Sequence, residues 1–413
     1  MTYIELFDKT HTANVCAMLT NPPDRVILIG EKYKNLEKHA ERYTEVLHAR
    51  GADTEIIPMS VNKNNISAIT DTLCSLIDKY GDVHIDLTGG EDLYLTAAGI
   101  VYERYKGAGV HVNMHRFNIR SNRVIDCDLD GVTVMDIALP EISVEEYVKV
   151  WGGLVVGKPD SAETFDGDAE QDIRALWDIC RRDVKAWNKQ INVLCAAENR
   201  RSIKSTHLLT EAAVSRMTSY LSDEDRGHII DDEILYQLYE RGLVRTYRIE
   251  DGNFEVKYKN QLVKRCLTKA GQVLELMILL CAKNAADSDR TPVYNDARSG
   301  VRIDWDGDVE PRKGKYDTEN ELDVMLMHGA LPLFISCKNG AFDMEELYKL
   351  NSVADRFGRE YSKKIIIATA LETLGGLGRY IRQRAADMDI RIIDNAQEMS
   401  ERELTELIGG LWM

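Results

Sequence analysis

The first third of the chain alternates between two kinds of segment, and few architectures tolerate that pattern. Short β-branched runs, "TYIELF", "RVILIG", "TEIIPM", "DVHIDLTGG" and "GVHVNMHRF", are separated by longer stretches with helical apolar spacing, such as "EKYKNLEKHAERYTEVLHAR" and "NNISAITDTLCSLIDKYG". Strand and helix alternating at these lengths predict a doubly wound parallel sheet. A hairpin is expected next, in "RFNIRSNRVIDCD", with Ser121-Asn122 at its turn.

The pattern breaks at "VWGGLVVGKPDSAETFDGDAEQD", rich in Gly, Pro and Asp, which reads as a boundary. Helical spacing then runs from Ala169 to about Ser222. The segment "DDEILYQLYERGLVRTYRIEDGNFEVKYKNQLVKRCLTKAG" reads as helix, strand, Asp251-Gly252 turn, strand, helix. That order resembles a winged helix, a module used both for DNA binding and for packing or dimerisation. The last third mixes helices with strand-like runs, "VRIDWDG", "ELDVMLMHG", "LPLFISCK" and "KKIIIATA". The expected layout is α/β in three parts: a Rossmann-like domain over 1–150, a helical, winged-helix-like connector over 160–262, and an α/β domain over 263–413.

Composition removes several classes. A net charge of −16 argues against surface-wide attraction to nucleic acid, though it leaves room for a local basic groove. The eight cysteines are scattered, with no C-x-x-C pair, so reduced thiols are expected rather than zinc or disulfides. No basic-then-apolar leader opens the chain and no apolar run reaches membrane-spanning length. The expectation is a soluble cytoplasmic protein without a membrane partner. Neither a P-loop nor a G-x-G-x-x-G after the first strand is present.

Ligands of parallel sheets gather at the carboxyl ends of the strands. In "IDLTGGEDLYLTAAGIV", Thr88 offers a hydroxyl, and Gly89 and Gly90 permit close backbone approach ahead of a helix N-terminus. The loop after the first strand, with Asp8, Lys9, Thr10 and His11, is expected at the same edge. Taken alone, a TGG is as well explained by a tight turn. In the last third, Glu321 and Asp323 stand two apart on a strand, and therefore on one face. Lys338 closes the next strand. Two carboxylates suffice for a hard divalent cation when water and a substrate phosphate complete its shell, and a lysine beside them can orient water or balance charge. The bland reading of an E-x-D on a strand is a solvated edge. Arg379, Arg382 and Arg384 share one late helical segment, where phosphate contact and a solvated face are both open.

Strand one with its polar loop, the D-x-T-G-G turn and a C-terminal effector together resemble the CARF domains, the CRISPR-associated Rossmann-like sensors of cyclic oligoadenylates, over roughly residues 1–140. The resemblance implies a homodimer binding one cyclic oligonucleotide across its two-fold axis. Asp8, Lys9, Thr10, His11, Thr88, Gly89, Gly90 and Arg116 would be the contact residues. Many relatives carry a Lys soon after the two glycines; here Glu91 and Asp92 follow, so backbone N–H groups, Lys9 and Arg116 would supply the attraction.

Roughly residues 263–413 resemble the PD-(D/E)xK nuclease fold. Glu275 matches the acidic residue of the upstream helix, Asp323 the central metal-binding aspartate and Lys338 the closing lysine. Ser336 stands where a Glu is usual, and Glu321 is the first candidate to replace it, with Glu345 and Glu346 behind. The implied metal set is Glu275, Glu321 and Asp323 with Mg²⁺ or Mn²⁺, and the implied catalytic set adds Lys338 and Ser336. The combination resembles the accessory nucleases of type III CRISPR systems, activated by cyclic tetra-adenylate or a related ring to cut DNA or RNA. Two other readings stand beside it: a ligand-responsive DNA-binding regulator with an inert nuclease fold, and a sensor that degrades its own ring.

Overall fold

The computed structural model describes residues 1–121, 123–127, 133–136, 140–230, 232–308 and 319–412. The N-terminal alternation is as expected. β1 (Thr2–Leu6), α1 (His11–Thr20), β2 (Arg25–Gly30), α2 (Tyr33–Ala49), β3 (Glu55–Ser60), α3 (Ile66–Tyr80), β4 (Val83–Asp86), α4 (Asp92–Tyr105) and β5 (Val112–Asn118) follow one another. Their strands are parallel in the order β3-β2-β1-β4-β5. β6 (Arg123–Asp126) and β7 (Thr133–Asp136) continue the sheet as antiparallel strands. The expected hairpin is therefore β5–β6, and Asn122 of its turn lies outside the described residues. The strand order reverses between β1 and β4, which opens a crevice beyond their carboxyl ends.

Next come α5 (Val144–Val150), β8 (Leu154–Val156), β9 (Asp160–Ser161), α6 (Gly167–Arg182), α7 (Val184–Asn199), β10 (Leu209–Ala213), α8 (Val214–Met217), α9 (Asp223–Arg226), α10 (Asp232–Glu240), β11 (Val244–Glu250), β12 (Asn253–Tyr258) and α11 (Gln261–Thr268). The helix–strand–strand–helix order of the winged-helix reading is present from α10 to α11. Asp251 and Gly252 both take positive φ at its turn, which suits a tight hairpin. However, α11 buries Val263, Cys266 and Leu267, its Lys264 pairs with Glu198 at 3.0 Å, and its Arg265 pairs with Asp160 at 2.9 Å. This helix packs into the protein and is not offered to a DNA groove.

The chain closes with α12 (Gln272–Asn284), β13 (Asp296–Asp304), β14 (Glu319–His328), β15 (Leu331–Lys338), α13 (Met344–Phe357), β16 (Lys363–Ala368), α14 (Gly376–Asp387), β17 (Ile390–Ile393) and α15 (Glu401–Gly409). The C-terminal sheet has the order β17-β16-β15-β14-β13-β8, with β9 also pairing to β13. The Gly- and Pro-rich stretch read from sequence as a boundary thus contributes two short strands to this sheet. Arg302 faces Val156 and Arg298 faces Ser161 in antiparallel register.

Both seven-stranded sheets carry apolar side chains on their two faces, and three apolar cores stack through the molecule. One packs α3 and α4 on the N-terminal sheet through Ile69, Leu73, Ala97 and Val101. The middle core joins the other face of that sheet, with α2 and α5, to one face of the C-terminal sheet through Tyr43, Trp151, Phe334 and Phe357. A third packs the far face of the C-terminal sheet on α12, α6 and α7. α12 is buried from Gln272 to Ala282 on all sides, as its "VLELMILLCA" run requires. Among the described residues, no helix is long and apolar enough to cross a membrane. All eight cysteines are free thiols.

Candidate functional site

The carboxylates and lysine picked out in the last third do come together. Asp323 and Lys338 sit on adjacent strands, with Lys338 Nζ 3.5 Å from Asp323 Oδ2. The same oxygen accepts from the Cys337 main-chain N–H at 2.7 Å and from Ser336 Oγ at 3.1 Å. Ser336, only 8% exposed, therefore holds the aspartate in place. The two-residue period of β14 breaks at this point. Val324 and Leu326 enter one core while Leu322 and Met325 enter the other, opposite Gly300 at φ +63°. The simple same-face argument for Glu321 and Asp323 is thus interrupted, yet both line the same cleft.

That cleft, about 500 Å³, is lined by Lys269, Glu275, Glu321, Asp323 and Lys338, with Asn188 and Asn192 from α7 on its rim. A second cavity of about 320 Å³ on the α13 side shares Glu321, Asp323 and Lys338 and adds Ser336 and Glu346. Lys338 Nζ lies 2.8 Å from Glu346 Oε2. Burial acts to lower the lysine's pKa, but Asp323 and Glu346 outweigh it and hold Lys338 above its usual value. Glu345 pairs instead with Lys349 at 3.1 Å, so of the two helix acids only Glu346 reaches the site.

Glu275 is 4% exposed on α12. Burial first, and then the charge of Asp323, raise its pKa to about 8, with Lys269 and Lys338 pulling the other way. Glu321 is half solvated and bound to Lys269 Nζ at 2.7 Å. Lys269 carried no sequence signal: it ends a helix 52 residues before its partner, and only the fold joins them. Among the described residues, no three His, Cys, Asp or Glu side chains converge on a set that could cage a metal. What the cleft offers is a small carboxylate set whose mutual repulsion a cation would relieve. The donor chemistry therefore fits a hard divalent ion held by one or two carboxylates.

The N-terminal edge is more fully self-engaged. Asp8 and the Thr88-Gly89-Gly90 turn meet at the crevice between β1 and β4, but Asp8 Oδ2 already accepts the Gly90 N–H at 3.3 Å. Thr88 Oγ1 accepts the Phe117 N–H at 2.8 Å and donates to Asp86 Oδ1. A Cβ on Gly89 would stand 2.7 Å from Asp8 Cβ, and one on Gly90 2.8 Å from Leu6 Cβ. The glycines serve loop-on-loop packing. Lys9 and Arg116 are exposed at this end of the sheet. The structure removes Thr10 and His11 from the edge. Thr10 Oγ1 donates to Glu360 Oε1 at 3.1 Å, and His11 opens α1 facing inward, its Nδ1 3.0 Å from Tyr43 Oη and its ring stacked on His39. On α14, Arg382 is bound to Asp394 at 2.8 Å and Arg384 lies by Tyr348, while Arg379 is exposed.

No family model and no curated protein matches the sequence. Solved structures do match. Over 100% of this chain and 97% of the other, the fold is similar to that of protein VC1899 from Vibrio cholerae, with a TM-score of 0.72 and 18% identity. Can2 from Sulfobacillus thermosulfidooxidans, solved in complex with cyclic tetra-adenylate, matches 98% of this chain and 99% of its own, with a TM-score of 0.67 and 15% identity. At these identities the likeness is one of fold, and it extends over the whole chain, placing this protein among α/β structures built on the same plan.

Proposed function

We propose that this protein is a metal-dependent nuclease switched on by a cyclic oligoadenylate, with a CARF sensor over 1–150, a connector over 160–262 and a PD-(D/E)xK-type domain over 263–413, serving type III CRISPR defence. The observation that carries the reading is the convergence of Glu275, Asp323 and Lys338, from α12, β14 and β15, in one cleft. The whole-chain likeness to a protein solved with cyclic tetra-adenylate supports the choice of activator.

Asp323 and Glu275 would hold Mg²⁺ or Mn²⁺, with Glu321 available once Lys269 lets go. When bound, the cation supplies charge stabilisation at a phosphodiester and a more acidic water. The chain's own residues do the remainder. Ser336 and the Cys337 N–H fix Asp323. Lys338, protonated and tethered between Asp323 and Glu346, donates hydrogen bonds to a non-bridging phosphate oxygen or to the attacking water and balances charge as it develops. Glu275, whose pKa burial and Asp323 raise to about 8, would have to be ionised to hold the cation.

In the sensor, Lys9 and Arg116 would provide the attraction for a ring lying across two copies related by a two-fold axis, because a symmetric ligand matches an isologous pair. Coupling requires that the ring bind the active arrangement better than the resting one.

The test is cleavage of labelled single-stranded RNA, single-stranded DNA and supercoiled plasmid with Mg²⁺ or Mn²⁺, with and without cyclic tetra-adenylate, beside Lys338→Ala. Ring-dependent cutting that vanishes in the variant is expected. Tight ring binding with no cutting under any condition would leave a sensor whose output is binding, and loss of the ring over time without metal would make the sensor itself the hydrolase.

A further inference from the structure

A separate charged cavity, of about 330 Å³, lies where α2 meets the end of β13 and the last turn of α13. Its walls bring Lys38, His39 and Arg42 from α2 against Trp305 and Arg356. Among the described residues, the cations Lys38, Arg42 and Arg356 donate to main-chain carbonyls. Arg42 Nη2 reaches Asp306 O at 3.1 Å and Lys38 Nζ reaches the same oxygen at 3.4 Å. Arg356 reaches Trp151 O at 2.9 Å and Trp305 O at 3.1 Å. Among the described residues, none of the three forms an ion pair with a carboxylate.

The cavity is built for these groups. Gly152, at φ +89°, leaves the space that Arg42 Nη1 fills, since a Cβ there would collide with it. Gly307, at φ +74°, does the same for Nη2, which a Cβ would approach to 3.2 Å. Among the described residues, two ring nitrogens of lining side chains, His39 Nδ1 and Trp305 Nε1, are buried without a hydrogen-bond partner, and His39 as a whole is 7% exposed. The buried Trp305 indole N–H left unpaired is costly, and the two guanidiniums repel each other across the cavity. The acids whose charge acts on Arg42 are Asp308, Glu45 and Asp306, the last in the cavity lining; Arg359 adds positive potential from beyond.

We propose that this cavity binds a phosphate-class anion, held by Lys38, Arg42, Arg356 and the His39 ring. Guanidiniums present paired N–H donors in a fork that tetrahedral oxyanions match and chloride does not. The anion fastens α2 to the end of α13 opposite Glu346. Its source is either free inorganic phosphate or the phosphate of a nucleotide.

Calorimetric titration of the full chain in phosphate- and sulfate-free buffer at constant ionic strength, with inorganic phosphate in one arm and adenosine monophosphate in the other, tests this. Saturable binding of one anion per chain is expected, weakened at least tenfold in Lys38→Glu and in His39→Gln. Lys38 is exposed on α2, so its variant reports on binding even where the buried histidine change disturbs folding. Saturation by phosphate supports a free-ion site, and saturation by the nucleotide alone supports a nucleotide-borne phosphate. Binding no stronger than that of chloride in both arms, or binding that persists unchanged in Lys38→Glu, overturns the assignment.

Discussion

Lys338, at the end of β15, is held from two directions: Glu346 of α13 lies 2.8 Å away and Asp323 of β14 lies 3.5 Å away. The lysine bridges a strand carboxylate to a helix carboxylate, so its position depends on both.

Removing the helix partner tests that dependence. Glu346→Gln should lower the cleavage rate by about 10–100-fold, the usual cost of losing a residue that orients a catalytic group. Glu345→Gln, one position away but paired to Lys349, should leave the rate unchanged. Initial rates on the cleaved substrate compare the two, and equal losses would deny Glu346 any special role.

Ser336 presents a milder case. Its hydroxyl supports Asp323, but the Cys337 N–H reaches the same oxygen at 2.7 Å. Ser336→Ala should cost about 1 kcal/mol of stability and keep cleavage within tenfold of the parent. Denaturant melts give the first number and cleavage rates the second. A loss as deep as that of Lys338→Ala would place the hydroxyl in the chemistry itself.

Gly90 is expected to tolerate nothing larger. Its φ of +106° and the 2.8 Å approach of a Cβ to Leu6 act together. Gly90→Ala should destabilise by roughly 2–4 kcal/mol, read as a fall in the denaturant midpoint at constant slope. An unchanged midpoint would mean that the turn relaxes freely.

The stacked histidines make stability fall on the acid side. Burial first, then Arg42, Arg356 and Lys38, lower His39 from 6.5 to about 4, and burial with the His39 charge holds His11 well below its usual range. Below pH 6.5 the unfolded chain takes up protons that the folded chain refuses, so stability present above 6.5 is lost as pH falls toward 4. His39 accounts for up to about 3 kcal/mol of this. In phosphate-free buffer, His39→Gln should flatten the loss between pH 6.5 and 4.5 in denaturant titrations, and an identical slope in both proteins would exclude the histidine as its source.

The N-terminal sheet was legible because "RVILIG" and "HID" are short β-branched runs between helices of regular apolar spacing, and local pattern decides such elements. Lys338 was legible because a lysine ending an apolar strand is hard to explain otherwise. His11 was misplaced because sequence located the loop but not the rotation of α1, which turns that ring onto Tyr43 and His39. Lys269 was missed because its meaning lies in Glu321, a partner distant in sequence. β8 and β9 are three and two residues long, too short to show any period, and exist because β13 offers them an edge.

Those two strands bear on how such a protein can be recombined. A chimaera that cut the chain at residue 262 and grafted a different sensor in front would leave the flank of β13 that β8 and β9 cover unpaired, a surface prone to intermolecular pairing. The exchangeable cassette would have to carry residues 154–161 with the effector, so the junction that evolution or an engineer can reopen lies before β8, in the few residues after α5.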